Sequence, residues 1–166
     1  KLSFVARGAR RPGSTLGPRV QMLARGRFLC VRRRALHLIT QAETVDSYAH
    51  LRVDLWGTAC GLYLAELCDA TTVEGARNRQ LYDLLVEALE AANRGRAGET
   101  LLRFCEVRSL QHLGFCPSLR QCVGCGAVLR PVENALSAAL GGVLCPDCTG
   151  TAPDARSLSV DALKVL

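Results

Sequence analysis

The sequence has no long hydrophobic run and few aromatic residues, which make up 5% of its 166 residues. No uninterrupted apolar stretch approaches the roughly 20 residues that a membrane-spanning helix needs, so a membrane protein is excluded. Because 49% of the residues are hydrophobic, a disordered or collagen-like chain is excluded as well. The first residue is Lys1 rather than Met, and strand-like sequence follows at once. We therefore expect the chain to be a fragment that has lost its beginning.

Sequence motifs of enzymes are also missing. The chain contains neither a phosphate-binding GxxxxGK(S/T) motif nor a GxSxG nucleophile motif. The loop RGARRPGSTLG has glycines that let a backbone approach phosphate, but its spacing is not that of a P-loop. His37, His50 and His112 are isolated in different predicted elements, where a histidine is more often structural than catalytic. We therefore predict that the protein is not an enzyme.

Acidic residues are absent from residues 1–42, although the same segment contains ten Lys or Arg residues. The rest of the chain carries eleven bases and all fifteen acids, and the net charge of the whole is +6. A cationic block beside a mildly acidic one indicates a module that binds a polyanion, and nucleic acid is the polyanion we expect. The alternative is a solvated basic face. The ten bases are Lys1, Arg7, Arg10, Arg11, Arg19, Arg25, Arg27, Arg32, Arg33 and Arg34.

Two CxxC pairs give the most specific motif, with nineteen residues between Cys125 and Cys145. This spacing is typical of zinc sites, because two intervening residues let both thiolates of a pair reach one tetrahedral ion. Four thiolates fill the coordination sphere, so we predict a structural zinc site; the alternatives are four free thiols or two redox pairs. The predicted ligands are Cys122, Cys125, Cys145 and Cys148.

Nine cysteines also fit a secreted disulfide scaffold, but an odd count together with CxxC pairs favours a reducing cytosol. The five cysteines outside the motif lie mostly in apolar segments, where a thiol behaves as a small hydrophobic group. We therefore expect these five to be core residues. They are Cys30, Cys60, Cys68, Cys105 and Cys116.

The first 40 residues predict three strands and a basic loop. Alternating residues indicate strands over Lys1 to Gly8, over Gln21 to Arg33 with a kink at Gly26, and over Ala35 to Thr40. Residues Gly8 to Pro18 contain three glycines and two prolines and predict a loop. Short strands with a basic outer face fit a barrel of the OB type. Three strands cannot close a barrel, so either a preceding segment completes it or this half is unstable alone.

The hydrophobic period changes to 3.6 from Asp46 onward, which predicts helices. Asp46 or Ser47 can cap a short helix, and the apolar residues of Leu51 to Ala70 surround most of the axis, as in the central helix of a bundle. Further helices are predicted from Asn78, over about Glu99 to Leu113, and from Ser157 toward Leu166. The helix from Asn78 carries a leucine stripe typical of a core-facing helix: Leu81, Leu84, Leu85, Ala88, Leu89 and Ala92.

Several segments resemble the RecO family of bacterial recombination mediators, in the order that the family shows them. They are VARGARRPGSTLGPRVQ, LITQAET, LRVDLWGTACGLYLAELCD, LLRFCEVRSLQHLGFCPSLRQCVGCG and GGVLCPDC. The resemblance covers about residues 1–150. It implies an α+β protein with a partial OB-fold over residues 1–43 and an all-helical domain over residues 44–166. A four-cysteine zinc module at residues 116–150 belongs to the second domain.

The resemblance also implies a DNA repair function without enzymatic activity, carried out in the cytoplasm at the nucleoid. RecO proteins bind single- and double-stranded DNA, promote annealing, and with RecR load RecA onto DNA coated by single-strand-binding protein. Since Phe4 and Phe28 are expected to face inward, electrostatics rather than base stacking should dominate DNA binding. Carried over by position, the DNA-contacting candidates are Arg7, Arg10, Arg11 and Arg19, together with Lys1, Arg25 and Arg27.

Two other classes of protein fit the residues. In a zinc-ribbon or transcription-associated protein the metal module itself contacts nucleic acid, but only Arg120 and Arg130 lie near the motif. In a structural or interaction module the basic half binds an acidic protein partner instead.

Overall fold

A computed structural model describes residues 1–33 and 36–165. The chain forms two compact units, Lys1–Leu113 and Gly114–Leu166. Both helices and sheets are present, so the predicted α+β class is confirmed. Within the described residues, no helix has the length and apolar character needed to cross a membrane. Arg34 and Ala35 lie outside the described residues, and so does the predicted start of the third strand.

The first unit begins with a three-stranded sheet of order β1-β3-β2. Its strands are β1 (Phe4–Val5), β2 (Arg25–Val31) and β3 (His37–Asp46); β1 runs parallel to β3, and β2 runs antiparallel to it. Strand β1 is shorter than predicted, whereas β3 continues past Thr40 because its second half pairs with the start of β2. Residues 1–33 and 36–113 therefore contain an open sheet rather than a closed barrel.

The predicted kink at Gly26 is confirmed by a shift in the β2–β3 register between Arg25 and Gly26. A Cβ atom at Gly26 would lie 2.9 Å from the Phe28 ring and 3.0 Å from the Glu43 carbonyl oxygen. Only glycine allows this close approach of the two strands. A second irregularity follows between Leu29 and Cys30.

Four α-helices follow the sheet in the described part of the first unit: α1 (Ala49–Val53), α2 (Leu55–Thr71), α3 (Arg79–Ala91) and α4 (Glu99–His112). The single helix predicted over Leu51 to Ala70 is wrong, because Asp54 adopts an extended conformation and caps α2 through a 2.6 Å hydrogen bond from the Gly57 N–H. The expectation that the segment Leu51 to Ala70 is a central helix, buried on all sides, is also wrong. Val53 and Leu55, which flank the break, are about 85% and 86% exposed.

The leucine stripe of α3 is confirmed as core. Asn78 caps the helix by accepting a 3.0 Å hydrogen bond from the Leu81 N–H, as predicted. Apolar residues of α3 pack against α2 and α4 around Leu64, Leu84 and Leu102. A second cluster joins α1 to the end of α3, and Leu23 packs against it from the segment before β2. The helices and the sheet-bearing segment therefore share one hydrophobic interior.

The second unit contains a small antiparallel sheet of order β5-β4-β6. The strands of this sheet are β4 (Asn134–Ser137), β5 (Gly142–Leu144) and β6 (Arg156–Leu158). The short helix α5 (Val160–Val165) follows β6 in the chain. The prediction of an all-helical segment after residue 43 is therefore wrong, and Ser157 lies in a strand rather than in a helix. Strands of three or four residues are too short for a hydrophobic period to reveal them.

Candidate metal centre and nucleic-acid interface

The four predicted zinc ligands converge in the second unit. The sulfur atoms of Cys122, Cys125, Cys145 and Cys148 all lie within 4.8 Å of one another. The Cys125 and Cys145 sulfurs are 3.8 Å apart, and a tetrahedron with 2.3 Å zinc–sulfur bonds has edges of about 3.8 Å. The geometry and the all-thiolate donor set both fit Zn²⁺.

Two tight turns bring the thiols into position. In the first, the Cys122 N–H donates to the Ala127 carbonyl, and the Gly126 N–H donates to the Cys122 carbonyl, each at 2.8 Å. Gly126 has φ +76°, a conformation that favours glycine. In the second turn the Cys148 N–H donates to the Cys145 carbonyl at 2.9 Å. Strand β5 ends immediately before Cys145, so the sheet fixes where the second pair enters the cluster.

Backbone N–H groups stabilise one thiolate in particular. Although burial raises the pKa of Cys122, N–H groups of Cys145, Cys125 and Gly124 outweigh it and lower that pKa to about 6. Hydrogen bonds with the sulfurs of Cys145 and Cys125 raise the pKa of Cys148 to about 12. The N–H groups that point at the Cys122 sulfur therefore favour its thiolate form, which is the form that binds a metal ion.

The hydrophobic core around the sulfurs is small. Buried Cys122, Leu144 and Ala152 form it, with half-buried Val123 and Leu129 packed alongside. A unit of this size rarely builds enough core to fold alone, and a structural metal is a common supplement. The four-cysteine cluster is therefore placed where it can hold the unit together.

The basic loop of the first unit covers residues 7–18 in the structure, and a series of turns orders it. The Arg11 N–H donates to the Gly8 carbonyl at 3.0 Å, and the Ser14 N–H donates to the Arg11 carbonyl at 3.1 Å. The Ser14 hydroxyl then accepts from the N–H groups of Leu16 and Gly17 at 3.3 Å. These bonds hold the backbone in a defined path and leave the arginine side chains outside it.

Three of the predicted DNA-contacting residues, Arg7, Arg10 and Arg11, project from this loop and are exposed. None of them lies within ion-pair distance of a carboxylate in the part of the chain that the structure describes. Their guanidinium groups are accordingly available to an anionic ligand.

The other four candidates are held by protein groups. Lys1 pairs with Asp69 at 3.0 Å. The remaining three contacts are Arg25 with Glu90 at 3.5 Å, Arg27 with Glu43 at 3.9 Å, and a 3.0 Å hydrogen bond from Arg19 to the Ala42 carbonyl. All seven candidate cations therefore lie in the first unit. Among the seven, only the three arginines of the loop have neither an ion pair nor a hydrogen bond of this kind with the residues that the structure describes.

Sequence reasoning missed the exposure of two aromatic rings. Phe4 and Phe28 are 42% and 43% exposed, so the expectation that both face inward is wrong. Phe28 lines an open groove of about 410 Å³ together with Arg19 and Arg27. For Phe28 the kink at Gly26 was the available signal, since a register shift changes which face a side chain occupies.

The five other cysteines divide by environment. Cys60 and Cys105 are buried in the helical core as predicted, and Cys30 and Cys68 are half-buried. Cys116 is exposed, which corrects the expectation for this residue. It lies in irregular backbone after α4, where no described element covers it.

Comparisons with known proteins show the family of the chain. The family model described as recombination protein O N terminal matches residues 1–48, and the model described as recombination protein O C terminal matches residues 52–166. The DNA repair protein RecO of Roseiflexus sp. (strain RS-1) is 38% identical over 162 residues, which cover 98% of this chain and 57% of that protein. Its counterpart from Symbiobacterium thermophilum is 40% identical over 169 residues, which cover 100% of this chain and 67% of that protein.

A third relative, the DNA repair protein RecO of Desulforudis audaxviator, is 38% identical over 167 residues, covering 100% of this chain and 66% of that protein. The chain thus spans between 57% and 67% of the length of these relatives. Because the two family models together match nearly every residue, the chain belongs to the RecO family of DNA repair proteins.

Proposed function

We propose that this chain is the DNA-binding and zinc-containing part of a recombination mediator. In this proposal the full-length protein binds single- and double-stranded DNA and anneals complementary strands. With RecR, it loads RecA onto DNA coated by single-strand-binding protein, in the cytoplasm and at the nucleoid. The observation that carries the proposal is the basic loop, with Arg7, Arg10 and Arg11 exposed and, among the described residues, free of ion pairs.

The chemistry of the loop suits phosphate rather than bases. Guanidinium groups bind phosphate oxygens in a forked geometry and do not need a particular sequence. Contacts of this kind leave the bases free to pair with a complementary strand. The three-stranded sheet that carries the loop is, in our proposal, part of an OB-fold completed by the rest of the full-length protein.

The proposed role of zinc is structural. Four thiolates would complete the coordination of the ion and leave no position for water or substrate. The protein then acts by positioning DNA and protein partners, without chemistry at the metal.

An annealing assay with the full-length protein tests the proposal. Two complementary oligonucleotides labelled with a donor and an acceptor dye should anneal faster with the protein than without it. The acceleration should fall as salt is raised, because phosphate contacts release counterions. A protein that neither binds single strands nor accelerates their annealing would contradict the proposal and favour an acidic protein as the partner of the basic loop.

The path of the loop depends on Gly17. A Cβ atom there would lie 2.5 Å from the Ala9 carbonyl oxygen, too close for the backbone to stay in place. We expect Gly17→Ala to destabilise the full-length protein by about 1–3 kcal/mol and to weaken DNA binding by displacing the arginines. Thermal unfolding and filter binding measure the two effects.

Gly98→Ala is the matched control. Gly98 has extended backbone, with φ 168°, and no atom lies within 4 Å of the position that a methyl group would occupy there, so the unfolding temperature and DNA affinity should not change. Equal behaviour of the two variants would show that the loop geometry is not needed for DNA binding.

A further inference from the structure

A second cleft lies between the sheet of the first unit and the segment that leads into α3. We call it the Phe4–Tyr82 cleft; its chemistry-bearing residues are Lys1, Phe4, Arg32, His37, Arg77 and Tyr82. Its volume is about 900 Å³, near the upper end of the range for sites that bind small ligands. It does not include any residue of the basic loop.

Aromatic rings occupy two sides of the cleft. Phe4 is 42% exposed and Tyr82 is 49% exposed, so each ring has a large surface open to solvent. The Phe4 and His37 ring centroids are 5.5 Å apart, with planes inclined at 52°. The hydroxyl of Tyr82 interacts with Arg25 and raises the pKa of that guanidinium. The contact with His37 orients the Phe4 ring, and both rings lie at the surface of the first unit.

The charge of the cleft is positive. None of the described residues that line it is acidic. Arg32 and Arg77 are exposed and make no ion pair with any carboxylate that the structure describes. Lys1 is paired with Asp69, and the nearby Glu74 carboxylate accepts a 3.2 Å hydrogen bond from the Ser3 N–H. Two uncompensated cations therefore flank the aromatic rings.

Hydrogen bonds tie the two walls together. The Gly75 N–H donates to the Lys1 carbonyl at 2.8 Å, across the gap between the segment before α3 and the first residues of the chain. On the other side, the His37 N–H donates to the Ser3 carbonyl at 3.2 Å. The cleft thus has fixed walls formed by backbone from three segments.

We propose that the Phe4–Tyr82 cleft binds unpaired bases of single-stranded DNA, which stack on Tyr82 and Phe4 while Arg32 and Arg77 contact the adjoining phosphates. Aromatic rings interleaved with cations are typical of single-strand binding, because every base has a face that can stack. Bases within a duplex are already stacked and paired, and they cannot enter the cleft. The inference rests on the proposed DNA binding and adds to it a preference for single strands.

The test uses the full-length protein and replaces Tyr82 by leucine, which keeps an apolar side chain at this exposed helical position. Loss of one stacked base should lower the affinity for a dT oligonucleotide by about five- to a hundredfold. The affinity for duplex DNA should stay within about twofold, since the basic loop contacts phosphates in both forms. Tyr82→Phe keeps the ring and should bind single strands like the wild type.

Tyr63→Leu is the matched control. Tyr63 is 41% exposed on α2 and does not line the cleft, so its replacement should leave single-strand affinity unchanged. A 2-aminopurine base in the oligonucleotide supplies a second readout, because its fluorescence falls when it stacks. Phe4→Leu and Tyr82→Leu should each reduce that quenching.

The outcomes separate this inference from the proposed function. If the wild type binds neither form of DNA, the proposed function fails. If the wild type binds DNA, either of two results for Tyr82→Leu would show that the cleft does not hold unpaired bases. The variant could bind single strands as tightly as the wild type, or its affinities for single strands and for duplex DNA could fall by the same factor. A lower unfolding temperature with unchanged single-strand affinity would show that the cleft is filled by protein, and would also overturn the inference.

Discussion

Replacement of Cys122 by serine should abolish zinc binding and unfold Gly114–Leu166. Cys122 is 2% exposed and lies at the centre of the small core of this unit. The N–H groups of Cys145 and Gly124 point at its sulfur, at 3.3 and 3.4 Å. Structural zinc contributes about 10–16 kcal/mol to the folding of zinc-finger peptides. This exceeds what a unit of this size gains from its core alone.

Zinc content and the rate of amide hydrogen exchange measure this effect in the full-length protein. The wild type should contain one zinc ion per chain by atomic emission, and the variant almost none. Amide hydrogen exchange in residues 114–165 should become fast in the variant, and a strong chelator should produce the same change in the wild type. DNA affinity should change little, because the basic loop belongs to the other unit.

Cys116→Ser is the matched control for Cys122→Ser. Both variants replace a thiol by a hydroxyl, and the two positions are only a few residues apart. Cys116, however, is exposed and does not belong to the four-cysteine cluster. Cys116→Ser should retain zinc, and the amide hydrogens of residues 114–165 should still exchange slowly in this variant. A Cys122→Ser protein that kept one zinc ion per chain would contradict the structural role of the cluster.

The sequence predicted the cysteine cluster and the helix α3 because both patterns are local and repeated. Two residues between thiols fix how each pair can turn around an ion, whatever the rest of the chain does. The stripe from Leu81 to Ala92 likewise defines one face of a helix without reference to its neighbours. Such features depend on short spacings, which the sequence displays directly.

Features that depend on distant partners could not be predicted. Lys1 bonds to Asp69, 68 positions away, and Arg25 bonds to Glu90, 65 positions away. The sequence could not show which of the seven candidate cations have contacts within the protein, and four of them do. The helix break at Asp54 had a local cause, a side-chain cap, but the apolar residues on both sides concealed it.

Replacement of both Arg10 and Arg11 by alanine should weaken single-strand binding by about tenfold at low salt. Each arginine that neutralises a phosphate contributes about −0.7 to the slope of log affinity against log salt on single strands, so the slope should flatten by about 1.4. Filter binding or fluorescence anisotropy over a series of salt concentrations gives both numbers. Lysine at the two positions keeps the charges and should preserve most of the slope.

Arg103 and Arg108 supply a control of equal charge. Both are exposed on α4, where Arg103 pairs with Glu106 and Arg108 donates to Gln111. Their replacement by alanine lowers the net charge by the same amount as the loop variant, but it removes no free cation from the basic loop. If the α4 variant flattened the salt slope as much as the loop variant, binding would follow overall charge. A slope that changes only in the loop variant would locate phosphate contacts at Arg10 and Arg11, two cations that the turns of the loop present without an ion-pair partner among the described residues.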